Sequence, residues 1–261
     1  MVDPASNARM DPRQDVPVRT VQVDRGRIAV RNMWAAAMRS VVFASAVNDD
    51  AVFEKYLARS PDVATQGCQI LRGERSAAGV NSILFDCNVK VSAPIVVYVH
   101  QDVFLPKGWL ENFQRQWHKA DLAMVPSAVA VAGIYGVKTK SPDPHIPETR
   151  AGHLLDRGRL LHEPHGLPCA VDSLDECLVA IDPRAKIFVD PALGWHFWAT
   201  DLCLQAQARG LSAVVLDVYL EHWSTQSHSH LPASYAVSRE IFRKKWGARL
   251  PIVTPTERVS P

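Results

Sequence analysis

Cysteine is scarce and unpatterned: Cys68, Cys87, Cys169, Cys177 and Cys203 are the five in 261 residues, and none stand in Cys-x-x-Cys spacing. That excludes a disulfide framework and a cysteine zinc site, and it reads as reduced, mostly buried thiols. Long apolar runs are also lacking. The longest candidate, Val125 to Val137, is interrupted by Pro126, Ser127 and Gly133, well short of the roughly 18 to 20 apolar residues that span a bilayer. Met1 to Asp15 has no apolar stretch of the kind a secretory signal needs, so a cytoplasmic location is the expectation. An excess of one charge is missing too. A net charge of +2 leaves little basis for a dedicated nucleic-acid binder. Internal repeats and low-complexity tracts are absent.

What is there is ordinary globular material, with 47% hydrophobic and 21% charged residues, enough for one α/β domain with tails. The most informative stretch is Ile95-Val-Val-Tyr-Val99 followed by His100-Gln101-Asp102. A short apolar run without alternation suits a strand buried on both faces. His100 and Asp102 would then stand at the carboxyl end of a central strand, where open α/β sheets bind ligands. Separated by one residue, they point to the same side and can reach one ion. A hard divalent cation, Mg or Mn, suits the carboxylate, with imidazole as a borderline ligand. Capping of the strand and of the next helix is the simpler alternative. Pro106 marks a first helical position, and Trp109, Leu110, Phe113 and Trp117 recur on one helical face.

Along the chain, Val41 to Val47 reads as a buried strand ending in Asn48-Asp49-Asp50. A helix through Val52, Phe53, Tyr56 and Leu57 follows, stopped at Ser60-Pro61. The Asn48-Asp49 tip either caps that helix or hydrogen-bonds a base or ribose. A second strand is expected within residues 64–71, and Gly79-Val-Asn81 allows close approach to a ligand. Val21 to Arg31 alternates loosely, like an outer strand. Gly133 to Gly136 reads as a glycine-punctuated turn. Residues 138–168, with five prolines and His145, His153, His162 and His165, read as a long irregular excursion. Cys177 to Ile181 is a further strand, and a helix begins near Phe197 and ends at Gly210. Within it lies Asp201, after the aromatic group Trp195, His196, Phe197 and Trp198, where desolvation would raise its value as a base. The alternative is an exposed carboxylate near a helix N-terminus. Leu211 to Val218 is the last strand, closed by Glu221-His222, and a helix spans 234–246.

Taken in order, these segments resemble nucleotide-sugar glycosyltransferases of the GT-A fold, in the family-2-like group with a His-x-Asp form of the Asp-x-Asp motif. Val97 to Leu110, containing His100-Gln-Asp102, is the most specific match. The resemblance covers roughly residues 40–225. It implies a Rossmann-like α/β fold with a mainly parallel sheet flanked by helices. With the tails read from composition, the expected layout is a tail and outer segment over 1–39, one domain over 40–250, and a tail over 251–261. It implies transfer of a sugar from a nucleotide-diphosphate donor to a glycan or lipid-linked acceptor, metal-assisted and inverting. Peripheral contact with a membrane is compatible with such an acceptor.

By the same resemblance, His100, Asp102 and His222 hold Mn or Mg and Asp201 is the base. Asn48, Asp49, Asn81, Gln101, Trp195 and His196 contact substrate. In two respects the chain departs from the family: histidine replaces the first acid, and Thr200 stands where an acid commonly precedes Asp201. A metal-dependent hydrolase built on His100, Asp102 and His222 is the competing enzyme class. A nucleotide-sugar-binding module without turnover is the non-enzymatic one.

Overall fold

The computed structural model describes residues 39–86, 93–139, 149–163, 166–224 and 231–261. Its first unit is the strand β1 (Val41–Val47), the short helix α1 (Asp50–Lys55), helix α2 (Pro61–Gln66) and strand β2 (Cys68–Arg72). Pro61 therefore opens a second helix after the first has ended, as its fixed φ allows at a first helical turn. Helix α3 (Val80–Asp86) leads to β3 (Ile95–Val99), all five of whose residues are buried. The two-residue strand β4 (Val103–Phe104) follows, then α4 (Trp109–Ala123). This helix starts three residues later than Pro106 suggests, because Gly108 takes the left-handed cap position at φ 78°. Trp109, Leu110, Phe113 and Trp117 are all buried, as the spacing predicts.

Beyond α4 come β5 (Val129–Gly133), β6 (Tyr135–Lys138), β7 (Thr149–Asp156) and β8 (Arg159–Glu163). Two expectations fail here. Gly133 to Gly136 is not a turn but the junction of two strands, and half of the supposed irregular excursion is an antiparallel hairpin in which His153 faces His162. The prolines flank the hairpin and do not enter it. Gly152 is required in it. At φ 111°, a Cβ there would lie 2.0 Å from the Ile134 carbonyl oxygen.

Strands β9 (Cys169–Ala170), β10 (Ser173–Leu174) and β11 (Leu178–Ile181) precede helix α5 (Trp198–Ala208), then β12 (Ser212–Val215), β13 (Glu221–His222) and helix α6 (Ala233–Trp246). The chain closes with β14 (Ile252–Val253) and β15 (Arg258–Val259), an antiparallel pair. Residues 251–261 are thus no tail. Ile252, Val253 and Val259 are buried, and Ile252 and Val259 pack with Leu193, Phe197, Leu204 and Phe242. The apolar positions in this segment are too few to show a period, which is why sequence alone misses it. Val21 to Arg31, Cys87, His145, His165, His228 and His230 lie outside the described residues.

The main sheet has the order β2-β1-β3-β11-β5-β12-β9. Strands β2, β1, β3, β5 and β12 run one way, and β11 and β9 run against them. The fold is mixed α/β, with core on both faces of this sheet. One face packs β3 residues Val97 and Val99 against Trp109, Phe113 and Trp117; the other packs Val96 and Tyr98 near Trp198, Ala199 and Leu202 of α5. A second sheet, ordered β10-β6-β7-β13-β4 with β8 beside β7, adjoins the carboxyl end of β3. His100-Gln101-Asp102 carries the chain from one sheet to the other.

Candidate metal centre

Strand pairing places the centre. At the end of β3, the His100 N–H donates to the Cys177 carbonyl at 2.9 Å, which anchors the backbone of the first candidate ligand. Three residues later β4 pairs antiparallel with β13, so that His222 lies opposite Val103, and the Trp223 N–H donates to the Asp102 carbonyl at 2.9 Å. His222 is brought from 120 residues away in sequence by that two-residue ladder. His100, Asp102 and His222 each offer a ligand atom within 4.8 Å of the others'. The two imidazole centroids are 5.7 Å apart. One carboxylate and two imidazoles, all half-buried, make a mixed oxygen and nitrogen donor set that a divalent ion could occupy, the carboxylate suiting Mn²⁺ or Mg²⁺ and the imidazoles the more borderline ions.

One atom is especially telling. His222 Nε2 is buried without a well-formed hydrogen bond, and its nearest charged neighbour, Asp102 Oδ1, forms a long ion pair with it at 3.5 Å. The other ring nitrogen, Nδ1, is engaged by Asp156 Oδ1 at 2.9 Å. Asp156 was not singled out in the sequence, where it sat inside the supposed excursion. Its signal was Asp-Arg-Gly, a tight-turn tripeptide after a run containing Leu154 and Leu155.

The charges are distributed accordingly. Burial works against an imidazolium at His222, but Asp102 and Asp156 outweigh it and push that ring up to about 10. Burial and the neighbouring His222 push His100 down, so it is neutral. Burial would raise Asp102, yet the histidines hold it below the usual carboxylate range. Asp156, despite its own burial, is held at about 2 by His222 and Arg157. Without an ion, the site therefore carries its proton on His222.

The tip of β1 adjoins this centre through Gln101. Its amide nitrogen donates to Asn48 Oδ1 at 2.6 Å, and its oxygen accepts from the Asn48 and Asp49 N–H groups, each at 3.1 Å. The Asp49 carboxylate caps α1, accepting from the Ala51 and Val52 N–H groups at 2.9 and 3.1 Å. Asn48 and Asp49 are exposed. Asn48, Asp49 and Gln101 thus form one linked group.

Asn81 has a structural task in the fold. Its amide donates to the Val189 carbonyl at 2.8 Å and accepts from the Val189 N–H at 2.9 Å, clamping α3 to the segment before α5. Those two bonds take half of its hydrogen-bonding capacity. His196 and Trp195 are half-buried ahead of α5, with His196 Nε2 3.3 Å from Ser234 Oγ and its ring against Tyr235. Burial lowers the affinity of His196 for a proton.

Asp201 lies in the first turn of α5. It is fully buried, and neither oxygen is open to an acceptor. Oδ1 receives Trp246 Nε1 at 2.7 Å and Lys245 Nζ at 2.9 Å; Oδ2 receives Gln205 Nε2 at 2.7 Å. Lys245 reaches on to Asp190 at 2.6 Å. The aromatic surroundings that suggested a desolvated base are real, but α6 supplies a cation and an indole to satisfy the charge.

Another acid occupies the neighbourhood instead. Glu176 lies in the turn between β10 and β11, with its Oε1 facing the Ala199 N–H, at the first turn of α5, at 3.5 Å. It retains intermediate exposure, yet the protein around it desolvates the carboxyl. That desolvation, opposed by α5 backbone N–H groups and reinforced by the Asp175 charge, raises Glu176 to about 8. The β3–β11 register pairs Leu178 with Val99, which places Glu176 beside the His100-Gln101 turn. Asp175, one residue back, accepts from the Cys177 N–H at 2.9 Å, and its charge favours protonation of both His100 and His222.

No known protein family's profile matches the chain. A curated protein of Fuscovulum blasticum, named ATP synthase subunits region ORF 6, is 32% identical over 139 residues, covering 49% of this chain and 51% of that protein. The chain spans about half the length of the curated relative it matches. No helix among the described residues is long and apolar enough to cross a membrane.

Proposed function

We propose that the chain is a glycosyltransferase of the GT-A type that moves a sugar from a nucleotide-diphosphate donor to a glycan or lipid-linked hydroxyl, with inversion and with a divalent cation, Mn²⁺ or Mg²⁺. The observation that carries this reading is the convergence of His100, Asp102 and His222, with a buried Nε2 that makes no well-formed hydrogen bond, beyond the carboxyl end of a central strand. Held there, the cation would offset the charge that grows on the leaving diphosphate. Asn48, Asp49 and Gln101 line the adjoining strand tip, where a nucleoside or ribose would lie.

An inverting transfer also needs a group that removes the acceptor proton from the opposite side. Glu176 replaces Asp201 in that role. It is partly accessible, stands beside the His100-Gln101 turn, and has a proton affinity close to neutrality, where a base is both available and strong enough.

Calorimetric titration of UDP and GDP with and without Mn²⁺, repeated on Asp102→Ala, tests the donor site. Nucleotide binding that requires both Mn²⁺ and Asp102 supports the reading and identifies the base. Absence of binding by either nucleotide would remove it, leaving metal-dependent hydrolysis as the reading to test.

A further inference from the structure

The metal-centre reading leaves Asp156 without a part in holding the ion. We infer that Asp156, backed by Arg157, is a positioning residue that fixes the His222 ring with Nε2 presented to the ion; this rests on the reading of His100, Asp102 and His222 as ligands. Strand β13 is two residues long, too short to hold a side chain by itself, but it is gripped from both edges. On one edge His222 pairs with Val103 of β4; on the other it pairs in parallel with Asp156 of β7, and the Arg157 N–H donates to the His222 carbonyl at 2.8 Å. His222 can shift along neither neighbour without breaking a ladder.

The side chains then select one orientation of the ring. An ionised carboxylate accepts and does not donate, so the 2.9 Å contact from Asp156 Oδ1 makes Nδ1 the donor. The nitrogen left to supply a lone pair is Nε2, the atom that lies buried without a well-formed hydrogen bond and faces Asp102. Arg157 keeps Asp156 in place, with Nη2 at 2.7 Å and Nε at 3.1 Å from Oδ2. That approach depends on the turn. Arg157 and Gly158 both adopt positive φ, 49° and 79°, the two-residue hairpin form that turns the chain back directly after Asp156. Histidines that bind metals commonly donate their other ring N–H to such a carboxylate, and its loss weakens metal affinity about 10–100-fold.

A purely structural role would have Asp156 stitching β7 to β13 with no consequence for the ion. The two are separated by measuring Mn²⁺ affinity from the free-ion electron paramagnetic resonance signal, on the full chain at one pH, with the thermal midpoint of each sample recorded. Asp156→Ala should bind Mn²⁺ about 10–100-fold more weakly than the wild type. Asp156→Asn, which keeps an accepting oxygen and loses the charge, should fall between them, and it carries the test if the alanine variant does not fold. His153→Ala, on the opposite face of the same strand, should bind as the wild type does. Folded Asp156 variants with wild-type affinity would overturn the positioning role, as would an equal loss in His153→Ala. A wild-type chain that takes up no Mn²⁺ would bring down the ligand assignment itself, and so the two failures are distinguishable.

Discussion

The Trp246 indole N–H donates to Asp201 Oδ1 at 2.7 Å, tying the last turn of α6 to the first turn of α5. Lys245 binds the same carboxylate, so two successive residues of one helix neutralise and cover a fully buried acid of another. This makes Asp201 a clamp for α6.

Asp201→Asn should therefore destabilise the protein and leave its chemistry in place. Breaking a buried ion pair costs about 3–5 kcal/mol, and the lower end applies because Lys245 keeps 32% of its side-chain surface in water. Urea unfolding measures the loss, and Mn²⁺ affinity per folded molecule should be unchanged. A variant of wild-type stability that no longer turns over donor would return Asp201 to the base role.

Mn²⁺ uptake at pH 7 should release about one proton, since His222 is protonated without the ion and must lose that proton to offer Nε2. Calorimetry in two buffers of different ionisation enthalpy counts the proton. Affinity should rise with pH toward the His222 value of about 10. The sign for stability is opposite in the metal-free protein. There a proton affinity raised on folding stabilises fully below the unfolded value of about 6.5 and is lost as pH rises through about 10. Binding without proton release would contradict the charge distribution described for the centre.

Glu176 has the unusual sign for an acid. Its folded value of about 8 lies above the ordinary 4.5, so the folded protein binds more protons than the unfolded chain between those values. Stability is consequently lost as pH rises from about 4.5 toward 8, and Glu176→Gln should flatten that part of the thermal-midpoint profile. Any donor turnover should increase through the same region and disappear in Glu176→Gln, with Mn²⁺ affinity retained. Equal pH profiles in the two proteins would remove Glu176 from the mechanism.

Gly152→Ala should be among the most damaging single changes available. The left-handed backbone alone costs a side chain about 1–3 kcal/mol, and the added Cβ would overlap the Ile134 carbonyl oxygen and the Tyr135 Cα. Because β7 carries Asp156, loss of thermal stability should be accompanied by weaker Mn²⁺ uptake. A soluble variant with the wild-type midpoint would show that β6 and β7 separate more easily than their contact suggests.

The parts of the fold legible in sequence are those where one local rule decides. Ile95 to Val99 has the β-branched and aromatic composition that suits a doubly covered strand, and the Trp109-Phe113-Trp117 spacing fits one buried helical face. His100 and Asp102 could be located because they end that strand. Other features depended on distant partners. Asp201 looked like a base until α6 supplied Lys245 and Trp246, and Asn81 looked free until Val189 took its amide. Asp156 acquires meaning through a parallel pairing with β13 that no local pattern announces.

The tripeptide His100-Gln101-Asp102 is the seam between the two sheets, crossing from β3 to β4 in three residues. An ion gripped by both its ends and by His222 would act as a rivet through that seam. Occupancy would then be a mechanical matter as well as a chemical one: the loaded protein should resist shear between its sheets, and the empty one should breathe there first.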